Sequence, residues 1–334
     1  MVTLAEVAAR AGVSASTVSY VISGKRSISQ ATQDRVLRAV TELGYHPNAS
    51  ARALASSRSN VIALMVPLRS DMYVPVIMEI VMAIAATARA HGQDILLLTG
   101  GEGPDGVRRV AGTGLADAII LMDVELDDKR IPVLREASMP AVLIGLPSDT
   151  ADLTCIDLDF EATGAACADH LADLGHRDIA LIGESRSVYQ RRTGFAARTL
   201  EGFRQRARAR GVRAVHRPCE GTFESTAGVL TRILEERPET SGFVVQNEAA
   251  IRPLLTLLRQ FGRVVPEDAS VVAICPESVA LQSSPQLTSV SIPAERMGRG
   301  ALELVMAHLS GRPTAGTTLI APELAVRESS LSAG

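Results

Sequence analysis

From residue 61 onward, short apolar runs alternate with longer amphipathic stretches, and this alternation restricts the possible fold more than any other feature. The first runs are VIALMVP, DILLLT, DAIILMD and AVLIGLP, and the second series contains TCIDLD, DIALIG, GFVVQN and ASVVAIC. Helical stretches such as VPVIMEIVMAIAATARAHG separate some of them. Continuous apolar runs of this length are typical of parallel strands buried on both faces. The pattern predicts an α/β body of two doubly wound subdomains, with ligands in the cleft at the carboxyl ends of the strands.

The first 60 residues differ from this body in charge. They carry a net charge of +4, whereas the whole chain carries −3. A small basic head on an acidic body indicates that the head meets a polyanion.

Three short helices are predicted in this all-α head. Thr3-Leu4-Ala5-Glu6 has the pattern of a capping box, and the first helix ends at Gly12. Ser14 can cap a second helix that runs to Gly24, and Ser29 can cap a third that ends at Gly44. Two short helices joined by a tight glycine turn, with a third completing a small core, form a helix-turn-helix.

The second helix has one apolar face, and its other face carries small or flat side chains. Val18, Val21 and Ile22 lie on the first face. In a helix-turn-helix, small residues at Ala15 and Ser16 let the second helix approach base edges in the major groove. The alternative from pattern alone is a helical hairpin with a solvated serine face.

The head resembles that of the LacI/GalR family of bacterial transcription regulators. The similarity is continuous over residues 3–54, through TLAEVAARAGVSASTVSYVISG and SQATQDRVLRAVTELGYHPNASARAL. The family's Thr-Val-Ser is Thr17-Val18-Ser19 here, and the base-reading position is Tyr20. The resemblance implies a DNA-binding domain at residues 1–46. Its expected DNA-contacting residues are Thr3, Ser14, Ala15, Ser16, Thr17, Ser19, Tyr20, Ser23, Lys25, Arg26 and Ser27.

The resemblance also implies a hinge helix within residues 47–58. Asn48 can cap a helix of about eight residues in PNASARALASS, which is shorter than the ~12 residues needed for stability in isolation. In the family, paired hinge helices enter the minor groove, which here would make Leu54 the wedge between central base pairs and place Arg52 near the backbone. Without the resemblance, an Ala/Ser linker would be the simpler interpretation.

The body, residues 59–334, resembles the periplasmic-binding-protein-like core of the same family, where the chain crosses between subdomains. The expected N-subdomain takes residues 59–160 and 293–320, and the C-subdomain takes residues 161–292 and 321–334. The family architecture implies a homodimer or dimer of dimers on a near-palindromic double-stranded DNA operator, controlled by a small-molecule effector in the cleft. Repression is the expected default.

Two positions that commonly recognise sugars in the family are altered. Thr199 stands where an arginine is usual, three residues before Gly202-Phe203, and Ala273-Ile274-Cys275-Pro276 replaces a Gly-Phe-Asp-Asp. Thr199 and Cys275 are therefore predicted as the polar anchors for hydroxyl or carboxylate groups. The full set of predicted effector contacts is Tyr73, Asp123, Tyr189, Arg191, Thr199, Asn247, Cys275 and Glu277.

Three interpretations of the cleft stay open. It binds a less hydroxylated, more apolar effector through residues such as Tyr73, or a sugar through shifted residues such as Arg191 or Arg192, or a partner protein. The absence of the usual charged pair favours the first, because unpaired polar groups in such sites are costly.

Other classes of protein are weaker hypotheses. Gly101 to Gly106 fit G-x-G-x-x-G and Asp123 follows about 20 residues later, but a lone motif of this kind is weak support for a nicotinamide-dependent dehydrogenase. A stand-alone solute-binding protein would lack the basic head. The scattered cysteines and histidines favour four reduced thiols, and we predict no metal site, no catalytic site and no cofactor. Without a signal-peptide or membrane-span pattern, a cytoplasmic location is expected.

Overall fold

The computed structural model divides into two compact units, residues 1–59 and residues 60–334. It describes residues 2–23, 26, 28–45, 58–69, 72–101, 103–137, 139–312, 314 and 316–333. The predicted hinge helix, with Asn48, Arg52 and Leu54, lies outside the described residues, as do Lys25, Ser27, the predicted helix stop at Gly24 and the side chain of Ser23.

The first unit contains three helices around a small apolar core. They are α1 (Leu4–Ala11), α2 (Ala15–Ser23) and α3 (Gln30–Leu43). Val7, Val18 and Val36 are fully buried, one from each helix, and Tyr45 closes the same cluster. The apolar spacing of each helix thus produces the predicted helix-turn-helix core.

Two of the three predicted helix caps form. The Glu6 amide donates to Thr3 Oγ1 at 3.3 Å and the Thr3 amide donates to Glu6 Oε2 at 2.7 Å, which is a complete capping box. The Thr17 amide donates to Ser14 Oγ at 3.1 Å. The predicted Ser29 cap is wrong in its bonding, because the Ser29 hydroxyl donates to Thr32 Oγ1 at 3.0 Å and makes no bond to the helix amides.

The second unit contains two six-stranded sheets with helices on both faces. The first sheet has the order β11-β5-β4-β3-β1-β2, and all its strands are parallel. Its strands are β1 (Val61–Met65), β2 (Asp94–Leu98), β3 (Ala118–Leu121), β4 (Ala141–Ile144), β5 (Thr154–Leu158) and β11 (Thr317–Ile320). Its helices are α4 (Val74–Ala90), α5 (Gly103–Thr113), α6 (Arg130–Ala137) and α13 (Ala294–Leu309).

The second sheet has the order β12-β10-β9-β8-β6-β7 and is parallel except for β12, which pairs antiparallel with β10. Its strands are β6 (Asp178–Gly183), β7 (Arg213–Pro218), β8 (Gly242–Val245), β9 (Ser270–Cys275), β10 (Thr288–Ser291) and β12 (Leu324–Ala325). Its helices are α7 (Phe160–Asp173), α8 (Arg186–Gln190), α9 (Gly194–Ala209), α10 (Phe223–Glu236), α11 (Ile251–Gln260) and α12 (Glu277–Gln282).

The chain crosses between the sheets more than once. After β10 of the second sheet, α13 packs in the apolar core of the first sheet through Met297, Leu302 and Val305. β11 then pairs with β5, and the chain returns to the second sheet as β12. These crossings place the carboxyl ends of both sets of parallel strands around one cleft. Among the described residues, no helix is long and apolar enough to span a membrane.

Candidate functional site

The exposed face of α2 is built from small polar side chains. Ala15, Ser16 and Tyr20 are exposed, whereas Thr17 and Ser19 are partly buried beside the fully buried Val18. The Ser14 hydroxyl lies 2.8 Å from Ser16 Oγ and 2.8 Å from Thr17 Oγ1, so these hydroxyls order one another at the start of the helix. A helix N-terminus with exposed hydroxyls is suited to phosphate oxygens and base edges.

A cation–π contact extends this face beyond the helix. The guanidinium carbon of Arg26 lies 5.8 Å from the centroid of the Tyr20 ring. Thr3, also predicted to contact DNA, is exposed, and its side chain is held in the capping box.

A cavity lies in the cleft of the second unit and encloses roughly 970 Å³, including its open mouth. Asp157 lies in β5, and Asp123, Glu184 and Gln246 follow shortly after β3, β6 and β8. Polar groups at the carboxyl ends of strands from both sheets therefore face the same space, as this fold class predicts.

Most of the cavity wall is apolar. It includes Met72, Val76, Ile80 and Met297, together with a tilted aromatic pair, Phe160 and Phe195, whose centroids are 5.6 Å apart. A wall of this kind favours a ligand with an apolar body and a few polar groups.

Asp123 and Arg191, two of the polar residues of the wall, lie close to other charged groups. Arg69 forms an ion pair with Asp123, and its Nη2 lies 3.9 Å from Glu125 Oε1. Arg191 Nε also lies 3.9 Å from Glu125 Oε1. This side of the cavity is therefore close to electrically balanced.

Unlike Asp123, Asp157 has a buried carboxyl group with no positively charged side chain among the described residues in contact with it. The residue is 2% exposed, and Oδ1 accepts a hydrogen bond from the Leu158 amide at 3.0 Å. Oδ2 has no hydrogen-bond partner in the described part of the chain. Burial raises the pKa of Asp157 to about 8, with the Leu158 amide and Arg198 opposing the rise and Asp159 adding to it.

Across the cleft, Gln246 and Glu248 flank the end of β8. Gln246 is 2% exposed; its Oε1 accepts a hydrogen bond from the Tyr189 hydroxyl at 3.1 Å, and its Nε2 has no acceptor among the described residues. Burial raises the pKa of Glu248 as well. These two residues therefore offer one carboxyl group and one amide donor without an acceptor among the described residues.

The structure places three of the eight predicted effector residues on the cavity wall. These are Tyr73, Asp123 and Arg191. Tyr189 does not line the cavity. Its ring packs edge-on against the His216 ring, with the two centroids 4.7 Å apart, and its hydroxyl donates a hydrogen bond to Gln246. Its contribution is therefore indirect.

The other four predicted residues do not line the cavity, for identifiable reasons. Thr199 is fully buried on α9, and its hydroxyl donates to the Phe195 carbonyl at 2.9 Å. Cys275 is fully buried in the apolar core of the second sheet. Asn247 caps the following turn and donates to the Cys219 carbonyl at 2.8 Å. Glu277 faces outward in an ion pair with Arg327 at 3.1 Å.

Asp157, Glu184, Gln246 and Glu248 line the cavity and were not predicted from sequence. Each lies at or just beyond the carboxyl end of an apolar run that the sequence identified as a strand. Ligands in this fold class bind at the carboxyl ends of the parallel strands. The polar residues at the end of each apolar run were therefore the sequence signal for this site, more than the family's sugar-binding positions.

The glycine motif that suggested a dinucleotide site lies elsewhere. Gly103 begins α5, and Pro104 and Gly106 are inside that helix. Gly103 and Gly106 therefore lie in the first turn of a helix and not in a loop ahead of it, which is not the arrangement that holds a pyrophosphate. Within the described ranges, no group of three or more His, Cys, Asp or Glu residues could hold a metal ion, and the four cysteines are buried and unpaired.

The raised pKa of Asp157 predicts a pH-dependent stability. Between about pH 4 and pH 8 the folded protein holds a proton on this group that the unfolded chain has lost, so its contribution to the free energy of unfolding falls as pH rises. When the pH rises from 5.5 to 8, we expect the titration of Asp157 to lower the free energy of unfolding by about 2 to 3 kcal/mol. Asp157→Asn should remove that part of the loss.

Urea denaturation at the two pH values measures this effect, with Glu277→Gln as the control because Glu277 is 65% exposed. The same pH dependence in wild type and Asp157→Asn would contradict the prediction.

Comparison with known proteins places both units in one family. Residues 3–48 match the family described as bacterial regulatory proteins, lacI family, and residues 168–330 match the periplasmic binding protein-like domain. The chain is 31% identical over 98% of both chains to the HTH-type transcriptional regulator CelR of Thermobifida fusca. It is 29% identical, again over 98% of both chains, to the HTH-type transcriptional repressor PurR of Vibrio campbellii.

Solved structures of similar proteins have the same fold. A CelR–cellobiose complex aligns with a TM-score of 0.68 at 29% identity, covering 98% of this chain and 100% of that one. A lac repressor dimer bound to operator and the anti-inducer ONPF aligns with a TM-score of 0.84 at 23% identity over 99% of both chains, a likeness that shows the fold alone. The predicted fold class is confirmed.

Proposed function

The chain belongs to the LacI family of bacterial regulatory proteins, and we propose that it binds a near-palindromic operator as a dimer and represses transcription until an effector fills its cleft. As a member of this family it is a DNA-binding transcription regulator and not an enzyme. The observation that carries the finer proposal is the pairing, in one chain, of an exposed recognition face on α2 with a cavity lined by both sheets.

The DNA-binding step follows from the geometry of α2. Small side chains at Ala15 and Ser16 allow the helix to approach the floor of the major groove, and Tyr20 lies one turn further on. Arg26, held over the Tyr20 ring, adds a positive charge for the phosphate backbone. We infer that Ser16 and Tyr20 read bases and that Arg26 sets the register.

The regulatory step follows from the position of the cavity. A ligand that contacts Asp123 and Asp157 on one side and Gln246 and Glu248 on the other favours a closed cleft over an open one. In a dimer, closure changes how the two heads are presented to the DNA. Such a coupling is expected to be about 1 to 3 kcal/mol, a change in operator affinity of roughly 5- to 150-fold.

Selection of bound DNA from a random pool tests the proposal. The intact protein should enrich a near-palindrome, Tyr20→Ala should relax its outer positions, and Leu54→Ala should relax its centre. Thr256→Ala on α11, an exposed position of the other unit, serves as the control and should enrich the same motif. Failure of the intact protein to enrich any motif, with and without cell extract as a source of effector, would contradict the proposal.

A further inference from the structure

The wall of the cavity carries more acidic than basic side chains. It carries the carboxyl groups of Asp123, Asp157, Glu184 and Glu248, against the single guanidinium of Arg191. Asp123 is paired with Arg69. Asp157 Oδ2 has no hydrogen-bond partner in the described part of the chain, and the Glu248 carboxyl group accepts a hydrogen bond from its own backbone amide.

These two carboxyl groups lie on opposite walls. Asp157 is in β5 of the first sheet, and Glu248 follows β8 of the second. An ionised carboxylate in an apolar, water-poor space is strongly unfavourable unless a positive charge or several donors meet it. Both groups line the same cavity, and a positive charge on a ligand bound there would compensate for their ionisation.

The rest of the wall restricts the ligand further. Tyr73, Phe160 and Phe195 offer aromatic faces, and the remaining surface is largely aliphatic. Aromatic faces are favourable surroundings for organic cations. Gln246 Nε2 is a buried donor that lacks an acceptor, so the ligand gains from one acceptor atom near it. A sugar would instead need many paired donors and acceptors around its ring.

Building on the proposed function, we propose that the effector is a hydrophobic organic cation, an amine or amidine on an apolar body, whose positive group lies between Asp157 and Glu248. This assigns a ligand class to the cleft and separates it from a site for neutral sugars. The apolar body occupies the space beside Phe160 and Phe195.

The proposal predicts that binding releases protons. Burial holds the pKa of Asp157 near 8 and raises that of Glu248, so both carry protons near neutrality before the ligand arrives. A cation favours their ionised forms, and affinity therefore increases as pH rises toward 8. The charged and titratable groups near Asp157 are Asp159, Arg198 and Cys155. Those near Glu248 are Tyr73 and Cys275. Along the rest of the cavity wall lie Arg69, Asp123, Glu125, Glu184 and Arg191.

Isothermal titration calorimetry of the full chain with four matched probes tests this. The probes are 4-phenylbutylamine, 4-phenylbutanol, 4-phenylbutyrate and cellobiose, each at pH 6, 7 and 8. The amine stays protonated throughout because alkylamines titrate near pH ~10. We expect it to bind at least tenfold more tightly than the other three at pH 8. Between pH 6 and 7.5 its affinity should rise about tenfold per pH unit for each proton released.

Three variants localise the effect. Asp157→Asn and Glu248→Gln should each weaken amine binding at least tenfold and reduce its pH dependence. Glu277→Gln removes the same charge from an ion pair with Arg327 outside the cavity and should change amine affinity less than twofold. Because the two cavity variants lie in different sheets' strand ends, Asp157 in β5 and Glu248 after β8, the test stays valid if one of them fails to fold.

Other results would overturn the proposal. These are no heat of binding for the amine at millimolar concentration, equal or tighter binding of the alcohol or cellobiose, or an affinity independent of pH. DNA selection with the same preparations tests the regulatory function separately from the ligand class. Motif enrichment without amine binding defeats the ligand class alone, whereas amine binding without any enriched motif defeats the regulatory function.

Discussion

Ser16→Glu should lower the affinity of this protein for its operator about 100-fold while leaving the head folded. Ser16 is exposed in the first turn of α2, on the face that we propose enters the major groove. A carboxylate there would lie against phosphates and base acceptors, and like charges in an interface cost several kcal/mol. A 100-fold loss corresponds to about 2.7 kcal/mol.

Folding should survive because a negative charge near a helix N-terminus is favourable. The Ser14 cap to the Thr17 amide and the buried Val18 are also untouched. Fluorescence anisotropy with labelled operator measures the affinity, and circular dichroism checks the helices.

The matched control is Leu37→Glu, which makes the same change in net charge at a 52% exposed position of α3. A general effect of negative charge would weaken the operator binding of both variants equally. Operator affinity of Ser16→Glu within threefold of wild type would show that the N-terminus of α2 does not meet DNA.

Gly202→Ala should destabilise the second unit by about 3 kcal/mol or more. The helices α7 and α9 approach so closely that a Cβ built on Gly202 would lie 1.9 Å from the Glu161 carbonyl oxygen. A Cβ on Gly164, on the other helix, would lie 2.1 Å from the Thr199 carbonyl oxygen. Backbone atoms cannot move aside as a flexible side chain can, so the added methyl group forces the helices apart and disturbs the packing beneath them.

Gly228→Ala is the control for this substitution. Gly228 is also inside a helix, α10, but a Cβ there meets no atom within 4 Å. Alanine should therefore be neutral or stabilise the helix by up to about 1 kcal/mol. Urea denaturation of the three proteins measures the difference. Equal stability of Gly202→Ala and Gly228→Ala would show that the two helices adapt at little cost.

The position of Gly202 also explains why Thr199 does not face the effector. Both residues lie on the side of α9 that packs against α7, three residues apart on one helical face. An anchor at Thr199 requires a helix face that packs against α7 instead of facing the cavity.

Local spacing predicted the three helices of the head and the eight most apolar strands of the body, but it did not identify β7, β10 or β11 as strands. The capping box of Thr3 and Glu6, the Ser14 cap and the buried Val18 depend on residues within one or two helical turns, so the sequence alone determined them. Eight of the parallel strands were equally readable, because apolar runs of strand length need cover on both faces, whereas β7, β10 and β11 contain polar residues and form no such run.

The cavity was decided by tertiary structure. Asp157, Gln246 and Glu248 are separated by up to 91 positions in the chain, and they come together because the two sheets present the carboxyl ends of their strands to one cleft. Whether a strand-end side chain faces that cleft depends on twist, register and the packing of neighbouring helices, none of which local spacing encodes. The sequence by itself therefore determined a DNA-reading helix on an α/β body, while the folded chain decided which carboxyl groups are left unpaired in the cleft.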